Sequence, residues 1–347
     1  MAAAICCVMA DDALERAVEL LCDGTKVAAT YGLPDGKGPF AAIVFCVGFS
    51  LVKEVWLPDF ARHLRQAGFA TLVLDYRTFG ESGGEPRCRL SPRMQVEDVR
   101  ACLDFLQAQP EVDGTRLGVF GVSLGATIAA GTAAADRRVR GGVVVAGPGD
   151  LERVWSKMPN FDGFRDKVLA ARRRYTTTGE VTYVPVQKLL SSDPETVALL
   201  VAEQKKHPRW RLEVTFESLA DLFEFSAERG LEKSRGLLFI HPAGDELIGS
   251  AESESMFAIA GEPKKYVALK GLRHAELYGH GRGFLAVAEH ATAWLTAQLS
   301  LATEPSRCGS RWARAAGARC GTRVRARDRG RRTGRPRCAP LLRSRGT

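Results

Sequence analysis

The sequence predicts an α/β fold, a mostly parallel sheet with helices on both faces and a helical cap inserted late in the chain. Three observations predict it. Short, mainly apolar runs recur at 41–46, 69–74, 116–120, 142–146, 237–240 and 265–269, as in strands buried on both faces. Helical patterns separate them, and strands that alternate with helices are expected to pair in parallel, because a parallel connection needs a crossover. The third observation is a break in this rhythm. Residues 148–235 hold helix-like, aromatic and charged stretches but few strand runs.

The elements follow in order. Strand-like stretches at 16–22 and 26–32 flank Asp23-Gly24, a strong signal for a two-residue hairpin turn. After a Pro/Gly-rich loop come the strand 41–46, a helix over 54–66 stopped by Gly68, and the strand 69–74, which together make one β-α-β crossover. A helix over 93–107, the strand 116–120, a small-residue helix over 124–135 and the strand 142–146 continue the pattern. Beyond the break lie the strand 237–240, a helix over 251–260, the strand 265–269 and a closing helix over 283–299. This divides the chain into a core (1–147 and 236–300), a cap (148–235) and a tail (301–347). An insertion at the carboxyl ends of the strands sits over the ligand crevice of such a sheet.

Composition narrows the function classes. With 45% apolar and 26% charged residues, 347 residues are enough for a full core. The net charge of +9 suggests an acidic or nucleic-acid partner until it is located. Residues 301–347 carry +12 of it, from fourteen Arg against Glu304 and Asp328, which leaves the remainder at −3. The tail has no apolar periodicity and is expected to be disordered. No nucleic-acid partner is expected, since no binding fold accompanies the tail and Trp312 is its only aromatic. Nine scattered Cys form neither a CxxC pair nor a cluster with His, which reads as reduced, intracellular usage with no metal. The first residues lack a basic stretch and turn acidic at Asp11-Asp12, and no apolar run reaches the ~18 residues of a spanning helix. A cytoplasmic protein is expected.

Gly121-Val122-Ser123-Leu124-Gly125 carries the chemistry. A G-x-S-x-G string arises by chance about 0.2 times in a chain of this length and composition, but here it follows a buried strand and precedes a small-residue helix. A nucleophilic serine must stand clear of its backbone, and a sharp strand-to-helix turn allows this only where neighbouring residues lack bulk. Gly121, Gly125 and Ala126 satisfy that condition. The hydroxyl needs a base, and of six His only His274 lies in a loop just after a late strand, with His280 in the same Gly-rich loop as the alternative. The base needs an orienting carboxylate. Asp245 follows the strand 237–240 and gives the order Ser, Asp, His, with Asp150 the lesser alternative and Glu246 expected to face solvent. The Leu124 and Phe49 N–H groups are the expected oxyanion donors, and Cys46 and Cys88 are expected to pack rather than react.

With these residues in place the chain resembles the α/β-hydrolase superfamily over about residues 16–300. Asp75-Tyr76-Arg77-Thr78-Phe79-Gly80-Glu81-Ser82 is similar to its D-x-R-G-x-G-x-S loop. The segments Gly48–Glu54 and Gly83–Arg87 look like the dienelactone-hydrolase-like and Xaa-Pro-dipeptidyl-peptidase-like serine hydrolases, a subgroup that includes polyketide-processing acyltransferases. Val47 departs from the His common before the oxyanion-loop Gly, Thr78 replaces a usual Gly, and Ser123 stands where dienelactone hydrolases proper have Cys. The expected function is a serine hydrolase acting on a hydrophobic ester, lactone or thioester, without a cofactor, with cap aromatics Trp155, Phe161 and Phe164 against the substrate. The alternative is an acyltransferase or thioesterase acting on a carrier-bound or coenzyme A acyl chain, for which Arg172-Arg173-Arg174 would contact phosphate. A homodimer is a further partner left open.

Overall fold

The computed structural model describes residues 15–300; the Arg-rich tail and residues 1–14 lie outside the described residues. Eight strands form the central sheet: β1 (Glu15–Cys22), β2 (Thr25–Gly32), β3 (Phe40–Cys46), β4 (Ala70–Leu74), β5 (Val112–Val122), β6 (Val139–Val145), β9 (Leu237–Pro242) and β10 (Lys264–Leu269). Their spatial order is β1-β2-β4-β3-β5-β6-β9-β10. The β1–β2 and β2–β4 pairs are antiparallel and the other five are parallel. Asp23 and Gly24 both take positive φ, 47° and 74°, the backbone that a tight hairpin turn requires.

Five α-helices and a 3-10 turn flank the sheet or lie at its edge: α1 (Leu57–Gln66), α2 (Pro92–Gln107), α3 (Leu124–Ala135), α9 (Ser250–Ile259), α10 (Arg282–Leu299) and the turn at His274–Leu277. The central strands lie beneath them. Residues 42–46 of β3 have zero exposure, which explains why that run is apolar at every position rather than at alternate ones. Several boundaries differ from the sequence expectation, and two of them have a visible cause. The helix expected from 54 starts at Leu57, because Trp56 adopts φ 61° and breaks the chain direction before it. The strand expected at 116–120 reaches from Val112 to Val122, its first residues pairing with β3 across a register shift.

The inserted segment is less purely helical than expected. It contains α4 (Leu151–Trp155), α5 (Phe161–Thr178), α6 (Val186–Leu189), α7 (Pro194–Lys206) and α8 (Leu219–Phe223), but also an antiparallel pair, β7 (Tyr183–Pro185) with β8 (Glu213–Thr215). Three-residue strands carry too little alternation to be legible in sequence. Asp150, the alternative acid, caps α4 by accepting the Arg153 N–H at 3.0 Å. Arg153 then ties α4 to the core: its Nε and Nη2 donate to the buried Glu252 of α9, at 2.8 and 2.6 Å, and Nη2 also to Glu228 at 2.6 Å. Farther along, buried Trp210 donates its indole N–H to the Ser50 carbonyl at 2.7 Å. Among the described residues no helix is long and apolar enough to cross a membrane.

Candidate active site

The parallel strands deliver Phe49, Ser123, Asp245 and His274 to one edge of the sheet, the carboxyl ends of β3, β5, β9 and β10. At the end of β5 the chain turns into α3 within one residue. Ser123 sits at that corner with φ 58° and ψ −130°, a conformation that costs a non-glycine residue on the order of 1–3 kcal/mol and persists only where its surroundings enforce it. The surroundings are steric. A Cβ on Gly121 would lie 2.1 Å from the Gly125 carbonyl oxygen, and one on Gly125 would lie 2.1 Å from the Cys46 carbonyl oxygen. The Ser123 N–H donates to the Val145 carbonyl at 2.9 Å, which fastens the corner to β6. Leu124 opens α3, so its N–H is one of the amides that a helix start leaves without an intrahelical acceptor.

Asp245 and His274 lie side by side. The imidazole Nδ1 lies 2.7 Å from Asp245 Oδ2 with both side chains buried. An ionised carboxylate can only accept, so Nδ1 carries the proton and Nε2 keeps the lone pair of a base. The other carboxylate oxygen accepts the Leu247 and Ile248 N–H groups, each at 3.0 Å. Burial raises the pKa of Asp245, but the His274 hydrogen bond and charge and the Ile248 N–H outweigh it, and the carboxyl is held below its ordinary value. A second histidine stands behind the pair. Buried His241 has Nε2 3.7 Å from Asp245 Oδ2 and Nδ1 2.8 Å from Ser253 Oγ. Burial lowers its pKa, so it is neutral at pH 7.

The alternatives lie elsewhere. His280 is exposed and faces Asp59 at 3.6 Å. Cys46 is fully buried, and burial pushes its thiol up to about 12, so it carries no thiolate near neutral pH. Cys88 is buried too, and burial raises its thiol.

A cavity of about 380 Å³ opens above Ser123 and His274, within the range that holds small ligands. Phe49, Trp56 and Ile248 form its core wall, and Trp155, Leu189 and Leu200 its cap wall. Glu246 is exposed and reaches the rim. Phe161 and Phe164, expected against the substrate, are outside the lining. They form a cluster behind Trp155: Phe164 stacks on Trp155 with centroids 5.7 Å apart, and Phe161 and Phe164 pack edge-on against Phe223. Arg172 of the expected phosphate cluster pairs with Asp221 at 2.8 Å inside the cap, and Arg174 lies 3.8 Å from Glu180; neither lines the cavity.

Sequence reasoning missed one neighbour of Ser123 and one support of the loop after β3. Tyr278 lines the cavity four residues past His274 and stacks on Trp56, with centroids 4.1 Å apart and ring planes 25° apart. Its place just before Gly279 in the loop that carries His274 is the available signal. The support of the loop after β3 is a buried carboxylate. Buried Asp75 accepts the Lys53 N–H at 2.7 Å and the Glu81 N–H at 2.9 Å, with Lys53 Nζ 3.3 Å away. Gly80 is required beside it, since a Cβ there would lie 2.1 Å from Asp75 Oδ2. This gives the D-x-R-x-x-G-x-S segment a physical task, pinning the chain that leads from Phe49 to Trp56.

A family model described as serine aminopeptidase, S33, matches residues 37–279, a span that includes the Ser123 corner, Asp245 and His274. The chain is 26% identical over 272 residues to a thiohydrolase of Eupenicillium brefeldianum, covering 74% of this chain and 85% of that one. It is 27% identical over 266 residues to a polyketide transferase of Stachybotrys chlorohalonatus, covering 70% and 83%. Among solved structures, DcsB in complex with its substrate analogue superposes with a TM-score of 0.71 at 24% identity, over 83% of this chain and 100% of that one, a likeness of fold. The chain is thus an enzyme of the α/β-hydrolase fold and belongs to the serine aminopeptidase S33 family.

Proposed function

We propose that this enzyme is a serine hydrolase that cleaves a hydrophobic acyl ester, lactone or thioester through an acyl-enzyme on Ser123. The observation that carries this reading is the buried 2.7 Å His274–Asp245 pair opening on the same cavity as a serine held at φ 58°. His274 Nε2 takes the Ser123 proton as Oγ attacks the acyl carbon. The Phe49 and Leu124 N–H groups hold the oxyanion, and Asp245 stabilises the imidazolium that forms. His274 then protonates the leaving group, and a second cycle with water releases the acid.

The relatives named thiohydrolase and polyketide transferase favour a thioester donor, with acyl transfer as the second reading. Lys157 and Lys188 also favour it. Both line the cavity, and both are exposed where an anionic carrier arm would enter; Lys157 is only loosely engaged, 3.7 Å from Glu252. Arg172, drawn to Asp221, is poorly disposed for that task. The test offers one hydrophobic acyl group as its alkyl ester, lactone and coenzyme A thioester, with and without an alcohol acceptor. Acid release from all three supports hydrolysis, and acceptor-dependent ester formation would identify a transferase. No turnover of any of them would contradict the reading.

A further inference from the structure

Tyr278 is placed as no spectator would need to be. It lines the same cavity as Ser123 and His274, and its ring centroid is 6.0 Å from that of His274 at 66°. It is fixed from the other side by the stack on Trp56, which closes the oxyanion loop. Burial holds the phenol well above its ordinary pKa. It therefore stays protonated and acts as a hydrogen-bond donor, not as a base.

The direction from which it approaches fixes what it can donate to. The expected oxyanion donors come from residues 49 and 124, after β3 and at the start of α3, whereas His274 and Tyr278 arrive together on the segment after β10. The base later protonates the leaving group, so the His274 side of Ser123 is the leaving-group side. We propose that Tyr278 is a catalytic residue whose hydroxyl donates a hydrogen bond to the leaving-group heteroatom as the tetrahedral intermediate collapses. This inference rests on the acyl-enzyme reading of Ser123.

The step balances. When Ser123 Oγ bonds the acyl carbon, its proton passes to His274 Nε2 and the carbonyl π pair moves onto oxygen. On collapse that pair re-forms the carbonyl, the bond to the leaving heteroatom breaks with its electron pair, and the proton on His274 moves to that heteroatom. Tyr278 keeps its own proton throughout. The phenol, which lines the cavity on the His274 side of Ser123, stands beside the departing atom.

A departing alkoxide concentrates more basic charge than a thiolate, whose conjugate acid has a pKa near 8.5. Loss of the donor should therefore be selective. Tyr278→Phe removes one oxygen and keeps the stack on Trp56. On an alkyl ester its kcat/KM should fall roughly 10- to 100-fold, and on the thioester of the same acyl group by no more than about threefold. Trp56→Leu, which removes the stacking face and keeps the hydroxyl, should lower both substrates by a similar factor. An equal loss on ester and thioester in Tyr278→Phe, or no loss on either, would overturn the proposal. Fluorophosphonate labelling separates the two levels of the argument. Labelling of Ser123 that persists in Tyr278→Phe leaves the acyl-enzyme reading standing whatever the ester result, whereas a wild-type enzyme that takes no label overturns that reading and this one with it.

Discussion

At the end of β5 the backbone itself fixes Ser123: two glycines leave room for carbonyls that any Cβ would strike at 2.1 Å, and φ is held at 58°. In the cap, the Trp155 ring is set by its side-chain neighbours, stacked on Phe164 and edge-on to Phe223. The first arrangement tolerates almost no change in sequence, since the colliding atoms are main chain. The second can be met by many combinations of large apolar residues. A fold built this way can keep its corner constant while its cap varies.

The largest effect should come from the corner. Gly125→Ala places a methyl against the Cys46 carbonyl, and the unfolding free energy should drop by more than about 3 kcal/mol, read as a lowered urea midpoint. A drop under about 1 kcal/mol would mean that the corner relaxes easily and that the contrast is overdrawn. Trp155→Ala tests the other region. It should weaken kcat/KM for a bulky aromatic or long-chain ester roughly 10- to 100-fold, while an acetyl ester changes by less than about threefold, since apolar pocket contacts discriminate by 1–3 kcal/mol. Equal losses on both esters would make the cap part of the chemical machinery.

The smallest effect concerns stability at acid pH. Buried His241 has its pKa lowered below 6.5, first by burial and then by the charge of His274, with Asp245 opposing. Between 6.5 and its folded value the unfolded chain binds a proton that the native chain does not, so stability is present above 6.5 and falls as pH drops through that window. The slope is about 1.4 kcal/mol per pH unit for one proton. His241→Gln, which can still meet Ser253, should flatten the acid limb by up to that amount. An unchanged slope would show that His241 titrates normally.

The same contrast explains what the sequence could disclose. Ser123 was legible because the requirement for Gly121 and Gly125 is local and steric. Asp245 and His274 were legible because their strands end three and five residues before them. Phe161 and Phe164 were assigned to the substrate because they are aromatic, but which way a cap helix turns depends on what it packs against, and here α5 turns both toward Phe223. Arg172 reads as a phosphate contact because three Arg stand together, while its partner Asp221, 49 positions away, leaves no mark on the local pattern. Tyr278 escapes because a ring brought to the Ser123 cavity by a stack on Trp56 looks, in sequence, like any loop tyrosine.

The central claim is that Ser123 is the nucleophile, and the most direct measurement is the site and stoichiometry of covalent labelling by a fluorophosphonate. Intact mass followed by peptide mapping should find one adduct per chain, on Ser123, and none in Ser123→Ala with an unchanged unfolding midpoint. An adduct on another residue, or one equivalent retained by the alanine variant, would contradict the account.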